Sequence, residues 1–123
     1  MKGINLSDMS VDQLVNQLAD LAVEQDVRLL ENDVAAANRL YDEMHEISTE
    51  LKSRPGDQRT ALMALYDHSN MHVRLVAAKK TLAVAPRASR VQLEQIRDSG
   101  WMPDAGDAGM CLRNLDDGIF KPT

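Results

Sequence analysis

Three histidines, His45, His68 and His72, are the residues of this sequence that metal chemistry would use first. His68 and His72 are four residues apart, a spacing that on one helix would direct both imidazoles to the same side and could hold a divalent metal. The residues between them, Ser69 and Asn70, favour a turn, so the two histidines are not expected on a common helix. No CxxC or HExxH arrangement accompanies them. The sequence therefore predicts no metal site.

Carboxylates and one thiol are the other candidates for catalysis. Acidic residues cluster at residues 42–46 and 104–107, but a general acid–base pair needs a cleft that separates the environments of its two members. The first cluster fits the solvated side of an amphipathic helix instead. Cys111 lies on an apolar turn near Arg113, a setting more typical of packing than of a nucleophilic thiolate. We expect no catalytic residue, no cofactor and no enzymatic activity.

A local excess of positive charge lies between residues 71 and 97, where six basic residues accompany a single acidic one. Such a strip could contact phosphates. However, no aromatic residue lies within it to stack on a base, and the whole chain has a net charge of −5. We therefore favour neutralisation of the acidic N-terminal half over nucleic-acid binding. The six basic residues of this strip are Arg74, Lys79, Lys80, Arg87, Arg90 and Arg97.

The composition of the chain favours a soluble, helical domain. Aromatic residues make up 3% of it, so the core must be built from Leu, Val, Ala, Ile and Met, which suits helices better than sheets. A single cysteine excludes an intramolecular disulfide and fits a reducing compartment. No apolar run approaches the ~20 residues that span a bilayer, and the N-terminus lacks the apolar region of a signal peptide. We expect one all-helical, cytoplasmic domain over residues 1–123, with no membrane partner.

Residues 1–9 are predicted to be a lead-in and residues 10–54 an αα-hairpin. Ser10 and Gln13 form a capping box, and apolar residues then recur at steps of three and four, as in an amphipathic helix. The apolar pattern changes phase after a break of two or three residues and continues to a Pro-Gly breaker. Two helices joined by so short a connection must lie antiparallel, and a single bent helix is the less favoured alternative.

Residues 57–99 are predicted to form HEAT-like helices. Asn70 is a good N-cap, and the central helix is expected to run to about Ala85, where Pro86 stops it. Its wide apolar face is rich in alanine, which implies close approach of neighbouring helices. The segment Arg59–Tyr66 would be the first helix of this pair, with its leucines and its tyrosine facing inward.

The C-terminal part is predicted to be one more helix, residues 87–98, followed by a tail over residues 100–123. The tail contains one short amphipathic helical turn. Three large apolar side chains, Trp101, Ile119 and Phe120, are expected to hold it against the rest of the domain.

The motif formed by Val73-Arg74, Ala77-Ala78 and Pro86 resembles the second helix of a HEAT or armadillo-type repeat. An offset of 31 residues aligns seven positions of the central pair with the helix and tail that follow, a spacing typical of helical-pair repeats. Residues 10–115 as a whole resemble a small bacterial domain family of unknown function. The segments that carry this resemblance are SVDQLV, NRLYDEM, HVRLVAAKKTLAVAP and DAGDAGM. It implies an all-α, short α-α superhelix of about five helices plus a C-terminal helical turn, and it lends no catalytic residue.

Protein binding is the function that this architecture favours, because helical repeats present extended surfaces to partners. Self-association of the acidic hairpin with the basic strip of another copy is a further expectation. Two alternatives are a nucleic-acid-associated protein that uses the basic strip and an immunity or antitoxin-like partner protein, the latter by analogy of fold and size only. The predicted partner-contact residues are Tyr41, His45, Arg74, Lys79, Lys80 and Trp101.

Overall fold

The computed structural model describes residues 5–123, and within that range the chain forms five α-helices, two 3-10 helices and no strand. This confirms the predicted all-α fold class. The first four residues of the predicted lead-in lie outside the described range. The α-helices are α1 (Val11–Leu30), α2 (Val34–Ser53), α3 (Met71–Lys80), α4 (Pro86–Ser99) and α5 (Asp104–Asp116), and the 3-10 helices are Leu6–Asp8 and Gln58–Asp67.

The described residues divide into two compact units, and the boundary in the sequence lies between Ala61 and Leu62. The first unit contains α1 and α2, which pack along each other. The second unit contains α3, α4 and α5, and α4 contacts both of the others. The expectation of one domain over residues 1–123 stays a prediction.

Both helices of the first unit begin at side-chain caps. The Ser10 hydroxyl accepts a hydrogen bond from the Gln13 amide at 3.0 Å, and the Gln13 side chain accepts one from the Ser10 amide at 2.8 Å. This is the reciprocal pair that the sequence predicts. Asp33 caps α2 by accepting from the Ala36 amide at 3.1 Å. The connection turns at Asn32, which has a φ of 58° and so lies in the left-handed region that asparagine tolerates.

Replacing Ser10 by alanine is expected to lower the free energy of unfolding by about 1 kcal/mol, because an amide of the first turn loses its acceptor. Urea unfolding followed by far-UV circular dichroism measures the change. Ser7→Ala is the control, since Ser7 is exposed and its hydroxyl donates to the side chain of Asn5; its expected effect is within about 0.5 kcal/mol. Equal losses in the two variants would contradict a role for the capping box.

The end of α2 is tied to the start of the chain by one arginine. The Arg54 guanidinium donates to the carbonyls of Leu6 and Met9 at 3.0 and 2.7 Å, and it pairs with Glu50 at 2.9 Å. Charged donors make the stronger hydrogen bonds of proteins. Arg54 therefore holds the first 3-10 helix beside the C-terminal end of α2.

In the second unit, α4 is the helix that packs against both α3 and α5. Short connections lead from α3 to α4 and from α4 to α5, and the second connection leaves α4 at Gly100, whose φ of 70° suits glycine. One buried apolar cluster of this unit contains Leu75, Ala78, Leu82, Leu93, Ile96, Ala108, Cys111 and Leu112.

Three features of the central segment differ from the prediction. The predicted helix Arg59–Tyr66 is instead the 3-10 helix Gln58–Asp67. The Asn70 cap is present, but α3 ends at Lys80 rather than at about residue 85. Pro86 does not stop a helix; it is the first residue of α4, where its fixed φ and missing N–H fit the requirements of a helix start.

The predicted tail is also wrong in two respects. Residues 104–116 form a full helix, α5, which packs along α4. Trp101 and Ile119 are 64% and 73% exposed, and Phe120 is 41% exposed, so these side chains do not hold the C-terminus in place. Backbone bonds do so instead, because the amides of Ile119 and Phe120 both donate to the Asn114 carbonyl.

Candidate functional site

His68 and His72 do not share a helix, as the predicted turn at Ser69 and Asn70 requires, and the two side chains have different partners. The ring nitrogen Nδ1 of His68 accepts a hydrogen bond from the Asn70 amide at 3.0 Å, within the turn that precedes α3. His72, on α3, places its Nδ1 at 2.8 Å from the Asp104 carboxylate at the start of α5. His72 and Asp104 are 8% and 4% exposed. This buried imidazole–carboxylate pair links two helices of the second unit.

A second polar contact joins the same two helices at the surface. Lys79 lies 3.1 Å from Asp107, and both side chains are exposed. Cys111 lies one turn further along α5 and is buried. Burial raises the pKa of the Cys111 thiol, while Lys79 lowers it and Asp107 raises it by smaller amounts. A thiol in this setting is poorly ionised at neutral pH, which disfavours a nucleophilic role.

The Cys111 thiol is therefore expected to react with iodoacetamide more slowly in the folded chain than in urea at pH 7.5. Because the folded-state pKa is raised, the thiolate fraction of the folded chain stays below that of the unfolded chain until the pH passes the folded pKa. Mass spectrometry of timed samples measures the alkylation rate. Equal rates in the folded and unfolded chains would contradict the burial of this side chain.

Most side chains of the predicted basic strip pair with other groups of the same chain. Lys79 is paired with Asp107. Arg90 lies 3.0 Å from Asp116 and 3.7 Å from Glu94. Such pairs reduce the charge that remains available to a polyanion.

The other four residues of the strip are Arg74, Lys80, Arg87 and Arg97, and Arg87 is exposed. The Arg74 guanidinium donates to the His68 carbonyl, and Arg97 pairs with Asp98 at 2.9 Å. Lys80 is half-buried, and desolvation, followed by repulsion from Lys79, lowers the pKa of its ammonium group. A continuous row of solvated cations is therefore not formed by these side chains.

The outer face of α2 carries an aromatic pair. The rings of Tyr41 and His45 stack with centroids 6.4 Å apart and planes within 7° of parallel, and Tyr41 is 54% exposed. A shallow groove of about 440 Å³ lies beside His45 and continues towards the first 3-10 helix. Its lining residues are Leu6, His45, Glu46, Thr49, Glu50 and Ser53. We call the aromatic pair and this groove the α2 face.

A second groove of about 570 Å³ lies against the outer side of α5. Its floor includes two glycines: a Cβ on Gly106 would come within 2.9 Å of the Met102 terminal methyl, and one on Gly109 within 3.6 Å of the Arg97 stem. Met102 and Arg97 thus rest directly on the helix backbone. The lining residues are Arg97, Ala105, Gly106, Gly109, Met110, Leu112, Arg113, Asp116 and Asp117. We call this the α5 groove.

Comparison with known proteins identifies the family of the chain. Residues 12–116 match DUF2019, which is described as a domain of unknown function. The chain belongs to this family. The predicted resemblance to a small domain family of unknown function is thereby confirmed.

One solved structure is similar to this DUF2019 chain over nearly its full length. It is the crystal structure of the protein RPA1889 from Rhodopseudomonas palustris CGA009, which is 56% identical, with a TM-score of 0.94. The match covers 98% of this chain and 99% of the other. The comparison with curated proteins finds no match. In the described part of the DUF2019 chain, no helix is both long enough and apolar enough to cross a bilayer.

The predicted contact residues of this DUF2019 domain fall into different surroundings. Tyr41 and His45 lie together on the α2 face, as their spacing of four residues on one helix requires. Trp101 is exposed between α4 and α5, whereas Lys79 and Lys80 end α3. The α5 groove was not predicted from the sequence, although two glycines at a step of three, followed by methionine, were a signal for it.

Proposed function

We propose that this DUF2019 domain is a non-enzymatic protein-interaction module of the cytoplasm, and that its partner binds at the α2 face. The observation that carries the proposal is the stacked and exposed pair of Tyr41 and His45 beside a groove. Tyrosine is enriched at the energetic centres of interfaces, since it combines apolar area with a polar group. Stacking limits the rotamers of both rings, so less entropy is lost when a partner binds.

The helix that carries this pair is well anchored within its unit. Asp33 caps its first turn, and Arg54 connects its last turn to Leu6, which lines the groove. A rigid helix holds contact side chains more precisely than a loop does. The α2 face therefore has the preorganisation that recognition of a protein surface needs.

The polar groups of the second unit support a role without catalysis. The pair of His72 and Asp104 is buried, so a substrate has no direct access to it. Cys111 is buried as well, and its raised pKa disfavours the thiolate. A nucleophile needs an ionised or base-activated group in an accessible position.

The HEAT- or armadillo-like interpretation belongs to the same proposal. The two segments that the offset of 31 residues relates are each a pair of consecutive helices: the 3-10 helix with α3, and α4 with α5. Stacked pairs of this kind present extended binding surfaces. Nucleic-acid binding has less support, because most cations of the basic strip have partners within the chain.

Quantitative affinity capture from extracts of the source cell tests the proposal. The double variant Tyr41→Ala, His45→Ala is compared with the unchanged chain and with a control, Asn16→Ala, Asp20→Ala, on the exposed side of α1. A partner of the α2 face is recovered with the unchanged chain and the control but not with the variant. With the purified partner, the variant should bind at least ~10-fold more weakly, which is typical for loss of a hot spot. Capture that never depends on Tyr41 and His45 would refute the proposal.

A further inference from the structure

The α5 groove contains two opposite charges that have no partner among residues 5–123. Arg113 and Asp117 both line the groove and are exposed. Within the described residues, neither side chain makes a hydrogen bond or an ion pair. The other two charged lining residues differ in this respect, since Arg97 pairs with Asp98 and Asp116 pairs with Arg90.

Apolar side chains beside these charges are also open to solvent. Met110, which lines the groove, is 61% exposed, and Met102, which rests on Gly106, is 68% exposed. Methionine adapts its shape to an opposing surface because its side chain is unbranched and flexible. Exposed apolar groups around a groove with a glycine floor are typical of an association surface.

The order of the charges indicates what occupies this surface. Arg97 and Arg113 balance Asp116 and Asp117, so the groove as a whole selects neither an acidic nor a basic partner. A two-fold contact, in contrast, places the same patch of both molecules face to face. Suppose that two copies of α5 meet in antiparallel orientation and that the two-fold axis crosses each helix at the level of residue 115. Arg113 of each copy then lies opposite Asp117 of the other. Each of the four unpartnered charges then has one opposite charge, and the contact contains two ion pairs.

We infer that the α5 groove is a self-association surface, and that it is occupied by a second copy of this chain in antiparallel, two-fold contact. Arg113 and Asp117 form the reciprocal ion pairs, and Met110 supplies the apolar part. The contact is small, so the dimer is expected to exchange with the monomer, with a dissociation constant on the order of micromolar or weaker. This surface lies on the second unit and does not depend on the proposed function of the α2 face.

Sedimentation velocity over a concentration series from micromolar to millimolar tests the inference. The unchanged chain should show a monomer–dimer equilibrium. Arg113→Asp alone and Asp117→Arg alone should each weaken dimerisation at least ~10-fold, because every reciprocal pair becomes a pair of like charges. An equimolar mixture of these two variants should dimerise again, since each copy then offers the charge that the other lacks. Arg87→Asp, on α4, changes the net charge as Arg113→Asp does and should leave the dimer intact.

Several results would overturn the inference. The first is an unchanged chain that stays monomeric at millimolar concentration. Another is a dimer that Arg113→Asp and Asp117→Arg leave unaffected, and a third is a mixture of these variants that remains monomeric. Far-UV circular dichroism shows that each variant is folded. Tyr41→Ala, His45→Ala should dimerise like the unchanged chain, so a failure at the α2 face and a failure at the α5 groove are distinguishable.

Discussion

Replacing Asp104 by alanine is expected to lower the free energy of unfolding by about 2–4 kcal/mol. Its carboxylate lies 2.8 Å from Nδ1 of His72, and both residues are buried. Alanine removes this partner of the imidazole in a place that water does not reach. Loss of one member of a buried polar pair costs far more than the pair gains over water, since the remaining group keeps its desolvation penalty.

Asp107→Ala is the matched control for this experiment, because Asp107 is on the same helix and also pairs with a side chain of α3. That pair is exposed, so its removal should cost at most ~1 kcal/mol. Asp104→Asn retains an oxygen acceptor and should fall between the two alanine variants. Urea unfolding followed by far-UV circular dichroism measures all three. A loss from Asp107→Ala as large as that from Asp104→Ala would mean that burial does not set the strength of the α3–α5 contacts.

Local signals predicted the first unit well, for a physical reason. The start of α1 depends on the Ser10 and Gln13 capping box, whose four residues are contiguous. Its continuation depends on an apolar repeat that is visible in the sequence. Interactions between residues close together in the chain set these boundaries, so no knowledge of distant contacts was needed.

The second unit was harder to predict, because its boundaries depend on packing. Pro86 is compatible with both the end of one helix and the start of the next, and the local sequence does not distinguish them. Gly106 and Gly109 lower the helix propensity of residues 104–116, which made a short turn the natural prediction. Packing along α4 stabilises α5 in spite of these glycines.

At the candidate sites, too, contacts within one helix were predictable and contacts between helices were not. The contact of Tyr41 with His45 follows from helical spacing alone. The contact of His72 with Asp104 joins residues 32 positions apart, and it exists only after α4 has brought α5 beside α3. On the basis of sequence spacing, His72 was instead compared with His68, the nearest histidine in the chain. Contacts between helices of the second unit were thus beyond local reasoning.

Leu93→Ala is expected to lower the free energy of unfolding by about 2–5 kcal/mol, because it leaves a cavity in the core of the second unit. Leu93 is 0% exposed and lies on α4 among core side chains contributed by α3 and α5. Urea unfolding measures the loss, and hydrogen exchange of the α3 and α5 amides shows how far it spreads. Exchange should accelerate in both helices, since both pack on α4.

Val91→Ala on the same helix is the control, since Val91 is 52% exposed. Its effect should stay within about 0.5 kcal/mol, as for most surface substitutions. A cavity at Leu93 that accelerated exchange in α5 but left α3 protected would show that α3 is held by contacts other than those with α4. Accelerated exchange in both helices, with little change for Val91→Ala, would mean that α4 is the element on which the second unit, including the α5 groove, depends.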